Sequence, residues 1–373
     1  MADVDSSGRL YDARHRSAIA WFISPHGFGH AARASAIIEA CSRHRPLLRH
    51  HLFTTVPPSF FAALNGIDHV LHTVRCDVGM VQRTPFVEDI DATVAAVERL
   101  PLDGGPELDR LVETTRATGC RIVVSDIAPL GLVVADRLGV PSVLVANFTW
   151  DWIYRSYGDG RLAAIAGAVA PIFRSATRTV ATEPVCPGLA EAHRVPPVSR
   201  APSRDRGEVR RGLGVAPEER VVLVSLSGLD REVVDPRELP LPPDVVALIP
   251  HRRAGIEVRD RVIRIPAEGG PYHPDLVAAS DVVIGKLGYS TVAEVYHADT
   301  AFAYLTRPRF PESPVLEAFV DQHVRSAPLS TDWLRDPLSG AVVSRLLETG
   351  RRSLSRTNGA DRAARLIVEL DAG

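Results

Sequence analysis

Short continuous apolar runs separated by helix-spaced stretches organise the first half of the chain. SAIAWFIS (17–24) reads as a strand buried on both faces, and GHAARASAIIEACSRH follows it with helical spacing. HHLFTT (50–55) and DHVLHTV (68–74) read as the next two strands, with PPSFFAALN between them. Residues 86–100 and 106–118 have helical spacing. RIVVSD (121–126) is another short buried strand. It leads into PLGLVVADRLG, where Pro129 suits a helix start and Gly139 a helix end. PSVLVAN (141–147) is strand again.

The alternation breaks over CPGLAEAHRVPPVSRAPSRDRG, which is rich in Pro, Arg and Ser and reads as a linker. It then restarts. RVVLVSLSG (220–228), VVALIP (245–250), RVIRIP (261–266), DVVIG (281–285) and TAFAYL (300–305) read as strands, with YSTVAEVYHA as a helix between the last two. Helical stretches at about 331–350 and 359–371 close the chain. Alternation of this kind predicts an α/β protein of two doubly wound, Rossmann-like domains facing a central cleft. The boundaries are a polar arm over 1–16, a first domain over 17–192, a linker over 193–208 and a second domain over 209–355. A closing helix over 356–373 has the option of crossing back to the first domain.

A length of 373 residues suits two such domains. Apolar residues make up 45% and charged residues 24%, an ordinary globular balance. The net charge of −2 gives no reason to expect nucleic acid or an anionic membrane as partner. The four cysteines are widely spaced and form no CxxC or metal-ligand pattern, so reduced thiols and a cytoplasmic location are expected. The polar first sixteen residues do not read as a signal peptide, and no apolar run is long enough for a membrane span. Of the 43 basic residues, all but Lys286 are arginine. A homodimer is compatible with the sequence, which does not specify one.

ISPHGFGHAARASAIIEA (23–40) raises the question of chemistry. It spans the carboxyl end of the first strand and the following helix start, where α/β sheets bind ligands. Gly27 and Gly29 would let the backbone approach a ligand, and His30 and Arg33 share the first helical turns. The dinucleotide fingerprint is absent, because Ala32 stands where its third glycine would be. Asp126 ends another strand at the same expected edge. It reads either as the cap of the helix at Pro129 or as the partner of His30. In the second role it would fix the imidazole tautomer and stabilise the imidazolium, equipping His30 to deprotonate a hydroxyl.

DVVIGKLGYSTVAE supplies a complementary element: a strand, a glycine loop carrying Lys286 and Gly288, then Tyr289, Ser290 and Thr291 at a helix start. Such a place suits a diphosphate. Glu294, one turn on, is set to accept from sugar hydroxyls or else to face solvent. Ser225, Ser227 and Gly228 form a second loop that reads as a phosphate contact or as a plain turn.

These residues carry a resemblance. SPHGFGHAARAS, VVSDIAPLGLVVADRLGVPSVLVANFTWDWIY and DVVIGKLGYSTVAEVYHADTAFAYL with RFPESPVLE resemble the GT-B glycosyltransferases. In particular they resemble the glycosyltransferase-like N-terminal half of L-arabinokinase-type proteins, over about residues 17–365. More distantly the chain is similar to the UDP-glycosyltransferases and to the peptidoglycan GlcNAc transferase. The resemblance implies a general base at His30 and its aspartate partner at Asp126. It also implies an acceptor-binding first domain and a nucleotide-sugar-binding second domain. A donor helix is implied at Gly288, Thr291 and Glu294, with the glutamate on the ribose, and the nucleobase near PAEGGPYH (266–273). There are departures. Lys286-Leu287 stands where plant UDP-glycosyltransferases carry His-Gly or His-Cys, and their Asp-Gln pair is missing, with Glu312 in its neighbourhood. Nothing within these residues matches a kinase ATP motif, so sugar phosphorylation is not expected of them.

Other signals are weaker. Asp89-Ile90-Asp91 is formally a DxD but has helical context, and reads as an exposed helix face. Trp150, Trp152 and Tyr154 could bury a sugar or apolar acceptor, or form a wall. His251-Arg252-Arg253 could attract phosphates but reads first as a solvated charge run. The expectation is an inverting, metal-independent glycosyltransferase. It would take a nucleotide-sugar, a UDP-sugar in the first instance, as co-substrate, with no bound cofactor and an unidentified hydroxyl or amine acceptor. The rivals are a nucleotide-sugar epimerase or hydrolase on the same fold, and a non-catalytic nucleotide-sugar sensor.

Overall fold

The computed structural model describes residues 3–4, 10–11, 17–84, 86–189, 192–226, 239–251, 253–266, 269–352 and 354–371. Ser227, Gly228 and Arg252 lie outside the described residues. The chain forms two units, one of residues 1–81, 90–196 and 359–373, the other of 82–89 and 197–358.

The first unit holds a seven-stranded sheet. Its strands are β1 (Ala18–Ile23), β2 (Arg49–Thr54), β3 (His69–Thr73), β4 (Cys120–Asp126), β5 (Ser142–Ala146), β6 (Arg178–Thr182) and β7 (His193–Val195). Their spatial order is β7-β6-β5-β4-β1-β2-β3, and every pairing is parallel. Every side chain of β1 is buried, as its unbroken apolar sequence predicts for a strand covered on both faces. On one face Ala18, Ala20 and Phe22 pack with Phe53, Val123 and residues of α3 (Pro106–Ala117) and α4 (Pro129–Leu138). The linker expected over 193–208 differs from the structure at its start, because His193–Val195 pairs with β6 as the edge strand. Three residues between proline-rich neighbours are too few to show a strand pattern.

The second unit repeats the plan with β8 (Arg220–Ser225), β9 (Val245–His251), β10 (Glu257–Arg259), β11 (Val262–Pro266), β12 (Val282–Lys286), β13 (Ala301–Leu305) and β14 (Ser326–Leu329). Their order is β10-β11-β9-β8-β12-β13-β14, with only β10 antiparallel. Alternate β8 residues serve two cores. Val221 and Leu223 face α8 (His273–Ala279), α9 (Tyr289–Ala298) and α10 (Ser313–His323). Val222 and Val224 face Trp333 and α11 (Ser339–Glu348). Residues expected to begin a helix at 86 instead turn through a hairpin, Gln82–Thr84 against Val87–Glu88, and Phe86 packs on that second core. Helix α2 (Ile90–Val97) starts only after this hairpin.

In each sheet the strand order reverses beside the first strand, between β1 and β4 and between β8 and β12. Such switch points open crevices at the carboxyl ends of the strands. Register fixes what reaches them. Ile23 lies opposite Asp126, and Ser225 opposite Gly285.

Candidate active site

At the first switch point β1 leads into α1 (Phe28–His44) through a turn capped by Gly27, whose φ of 80° and ψ of 164° are open essentially to glycine alone. No side chain caps the helix. His30 therefore stands in the first turn beside the end of β4. Its Nδ1 lies 2.8 Å from Asp126 Oδ1. The carboxylate thus takes the Nδ1–H and leaves Nε2 as the basic nitrogen. Among the described residues no hydrogen bond to Nε2 is formed.

Asp126 is buried. It does not cap α4, whose N-cap is Ala128. Ile127, the next residue, has φ 55°, an outlier for a β-branched side chain, at the bend where the chain leaves β4. Arg33 clamps the carboxylate in bidentate fashion, Nε to Oδ2 at 2.8 Å and Nη2 to Oδ1 at 2.6 Å. Burial alone would raise the Asp126 carboxyl. The Arg33 guanidinium and the His30 hydrogen bond outweigh it and hold the group below the usual carboxylate range. Arg33 itself is buried and also donates to the Asn147 and Thr182 side chains. Its donors are engaged within the protein, so it serves here to position Asp126.

Beside this dyad lies a cluster built on Asp77, a residue that motif reasoning missed. Asp77 is buried, takes a 2.8 Å hydrogen bond from Trp150 Nε1, and has its carboxyl pushed up by burial. Trp150 packs edge-on against His26 and stacks with Tyr154, whose hydroxyl donates to the Gly79 carbonyl. Trp150 is thus a buried wall and not an open platform. Phe28, half exposed, stacks on Phe60.

At the second switch point Lys286 ends β12, and Gly288 is the N-cap of α9 with no side-chain cap. Tyr289, Ser290 and Thr291 form the first turn, each partly exposed. Burial, then the charge of Arg307, lower the Lys286 amine to about 8. Glu312 is buried and paired with Arg307, whose guanidinium sits 3.8 Å over the Phe310 ring. Glu294 is not turned to solvent. It is buried, with Oε2 2.7 Å from His273 Nδ1 and Oε1 3.3 Å from Arg200 Nη2. His273 Nε2 in turn lies 2.8 Å from Ser225 Oγ. His273 belongs to the expected nucleobase segment, but nothing in its spacing pointed to Glu294.

The weaker motifs also find places. Asp89 pairs with Arg83 at 2.8 Å, and Asp91 with Arg161 at 2.8 Å. His251, expected to be solvated, is buried and hydrogen-bonded to the Gly255 carbonyl because it ends an interior strand. The four cysteines are buried and form no disulfide among the described residues. Among the described residues no group of three His, Cys, Asp or Glu could hold a metal ion, and no helix is long and apolar enough to cross a membrane.

No family model matches the chain. It is 28% identical over 327 residues to an L-arabinokinase from Arabidopsis thaliana, covering 85% of this chain and 31% of that protein. The chain thus spans about a third of that relative's length. Among solved structures it resembles Arabidopsis thaliana UGT89C1 complexed with quercetin, with a TM-score of 0.62 and 16% identity over 95% of this chain and 99% of that one. The calicheamicin glycosyltransferase CalG4 superposes with a TM-score of 0.61 and 17% identity, over 96% and 98%. The spinosyn forosaminyltransferase SpnP gives 0.60 and 16%, over 95% and 94%. The strand order, the paired switch points and these likenesses agree on one architecture, and the chain has the GT-B glycosyltransferase fold.

Proposed function

We propose that this protein transfers a glycosyl unit from a nucleotide-sugar, a UDP-sugar in the first instance, to a hydroxyl or amine acceptor, with inversion and without a metal ion. The observation that carries the reading is the His30–Asp126 dyad at the first switch point, with Nε2 unengaged among the described residues. Binding alone needs no oriented base. His30 Nε2 would take the acceptor proton as the acceptor atom attacks the anomeric carbon. The bond from that carbon to the diphosphate breaks, and its electron pair leaves with the diphosphate. Asp126 would stabilise the resulting imidazolium.

The second unit would hold the donor. Gly288, Tyr289, Ser290 and Thr291 offer helix-terminal amides and hydroxyls, and Lys286 offers an ammonium, to the leaving phosphates. Gly27 and Gly29 would bring backbone close to the acceptor. Ser227 and Gly228 remain part of the proposed phosphate loop. Glu312 would act through Arg307, its buried partner. Two neighbours support a UDP-linked reading, being UGT89C1 complexed with UDP and with UDP-L-rhamnose.

The test is thermal-shift binding of UDP, dTDP, GDP and ADP, each with and without EDTA. A ligand bound by the native state alone raises the melting point by mass action. Stabilisation by one diphosphate that survives EDTA is expected. No shift with any of them counts against a donor site. Turnover of a nucleotide-sugar without acceptor would instead favour the epimerase or hydrolase reading.

A further inference from the structure

Residues 76–79 follow β3 and run as a short strap over the carboxyl ends of β1 and β2. Cys76 Sγ lies 3.2 Å from the Ile23 carbonyl oxygen and 3.4 Å from that of Phe53. At the far end the Gly79 carbonyl accepts from the Tyr154 hydroxyl at 3.2 Å. Between them Asp77 accepts from Trp150 Nε1 at 2.8 Å and is hydrogen-bonded by the Ser24 side chain. Trp150 and Tyr154 both belong to α5 (Trp150–Ser156), so the strap ties that helix to the strand ends.

Asp77 is buried, and among the described residues no arginine or lysine pairs with it. Burying a carboxyl without a cation is costly, and an apolar side chain of similar size would avoid that cost. Packing alone therefore gives no reason for a carboxyl here. What the carboxyl does is orient Trp150. Fixed at Nε1, the indole meets the His26 ring at 5.1 Å and 89°. Gly79 packs against the same imidazole with no room for a β-carbon. His26 is thus held by the strap and by Trp150, while its amide donates to Ser24 Oγ at 3.2 Å and the Gly27 amide to the Pro25 carbonyl at 2.7 Å. This turn is what starts α1, since no side chain caps the helix. His30 stands in the first turn that follows, so its place against Asp126 is set from outside the helix.

We propose that Asp77 is a positioning residue for the base: by holding Trp150 Nε1 it fixes His26 and the turn that carries His30 to Asp126. This deepens the role given above to His30 and rests on it. It also gives Trp150 the task of supporting the base, in place of contact with an acceptor.

The experiment compares the intact wild-type chain with Asp77→Leu, Trp150→Phe, the double variant and Asp77→Asn. One readout is the His30 ring in NMR of protein with nitrogen-labelled histidine, at about pH 9, above the ordinary histidine range. The His30 signal is identified by its loss in His30→Ala. Wild type should show the Nδ1–H tautomer alone, and Asp77→Leu and Trp150→Phe should show both tautomers. Asp77→Asn keeps an acceptor for Nε1 and should restore the single form. The other readout is release of UDP from UDP-glucose with para-nitrophenol or aniline as acceptor. Asp77→Leu and Trp150→Phe should each lower kcat by about 10–100-fold, the cost of a small misplacement, and leave the KM for UDP-glucose unchanged. The double variant should be no slower than the slower single one, because both remove the same link. Trp150→Phe is the milder change should Asp77→Leu fail to fold. A role in stability alone would lower the urea midpoint and move neither the tautomer nor kcat. A single Nδ1–H tautomer in the folded variants, or losses of kcat that multiply, would overturn the proposal and leave the transferase reading standing. Mixed tautomers in the variants with no UDP release by wild type would uphold the hold of Asp77 on His30 and count against transfer from UDP-glucose.

Discussion

Asp126 answers to two donors at once, the Arg33 guanidinium and the His30 ring, and that sharing organises the candidate site of the first unit. Arg33 holds its oxygens in a fixed plane, and His30 uses one of the same oxygens to fix its ring. Asp126→Asn would keep the shape but lose the charge. It would leave Arg33 buried without its counter-ion and allow the wrong tautomer on His30. We expect a loss of about 3–5 kcal/mol in urea unfolding, the cost of breaking a buried pair. We expect a fall of roughly 10²–10⁴ in kcat, as when an orienting carboxylate is neutralised. Unchanged kcat in a folded Asp126→Asn variant would remove the dyad from the mechanism.

At the scale of elements, the turns after the strands set the site. Gly79 has φ 69°, and a β-carbon there would lie 2.5 Å from the His26 ring. His26 packs against Trp150, and Trp150 bonds to Asp77. Gly79→Ala should therefore destabilise by about 1–3 kcal/mol and shift the near-ultraviolet circular dichroism of the Trp150 environment. A variant with wild-type stability and spectrum would show that the loop gives way freely. Helix α12 (Ala360–Val368) is a second case. It lays Ala360, Ala363, Ala364 and Ile367 into the first unit, while the Ser17 hydroxyl bonds to Asp371 at 2.6 Å.

How far the sequence shows these things follows from what periodicity records. Unbroken apolar runs mark two-faced strands, so β1, β4, β5, β8 and β12 are legible. A residue at a strand end is then legible as a residue at the sheet edge, which is how His30 and Asp126 come together from 96 positions apart. Side-chain partnerships away from strand ends leave no such mark. Asp77, Arg200 and His273 sit in loops or helix starts, and their partners are chosen by packing. Trp150 reads in sequence equally as a ligand platform or as a packed wall, and only tertiary burial decides for the wall. The hairpin at 82–88 overlaps the start of the stretch read as helical from 86, because its two strands are too short to show alternation.

For the whole molecule, pH is the most direct lever on stability. His50 is buried between Trp21 Nε1 and the Ser42 hydroxyl, and burial first, then neighbouring His69, lower it to about 4. His51 and His72, 3.0 Å apart, are lowered by burial as well. Below an unfolded value near 6.5 the unfolded chain binds protons that the folded chain refuses. The contribution of His50 is therefore fully present above about pH 6.5 and is lost as pH falls toward 4, amounting to roughly 3 kcal/mol at most. Urea midpoints should fall steadily between pH 6.5 and 4, and less so in His50→Asn. A flat profile over that window would mean that these histidines protonate without cost in the fold.

The central claim is that His30 is the base for group transfer. Its most direct test is the release of nucleoside diphosphate from a bound nucleotide-sugar in the presence of an acceptor panel, comparing wild type with His30→Ala. Loss of a general base predicts a fall of about 10²–10⁴ in kcat with donor affinity unchanged. Wild-type rates in His30→Ala would contradict the claim.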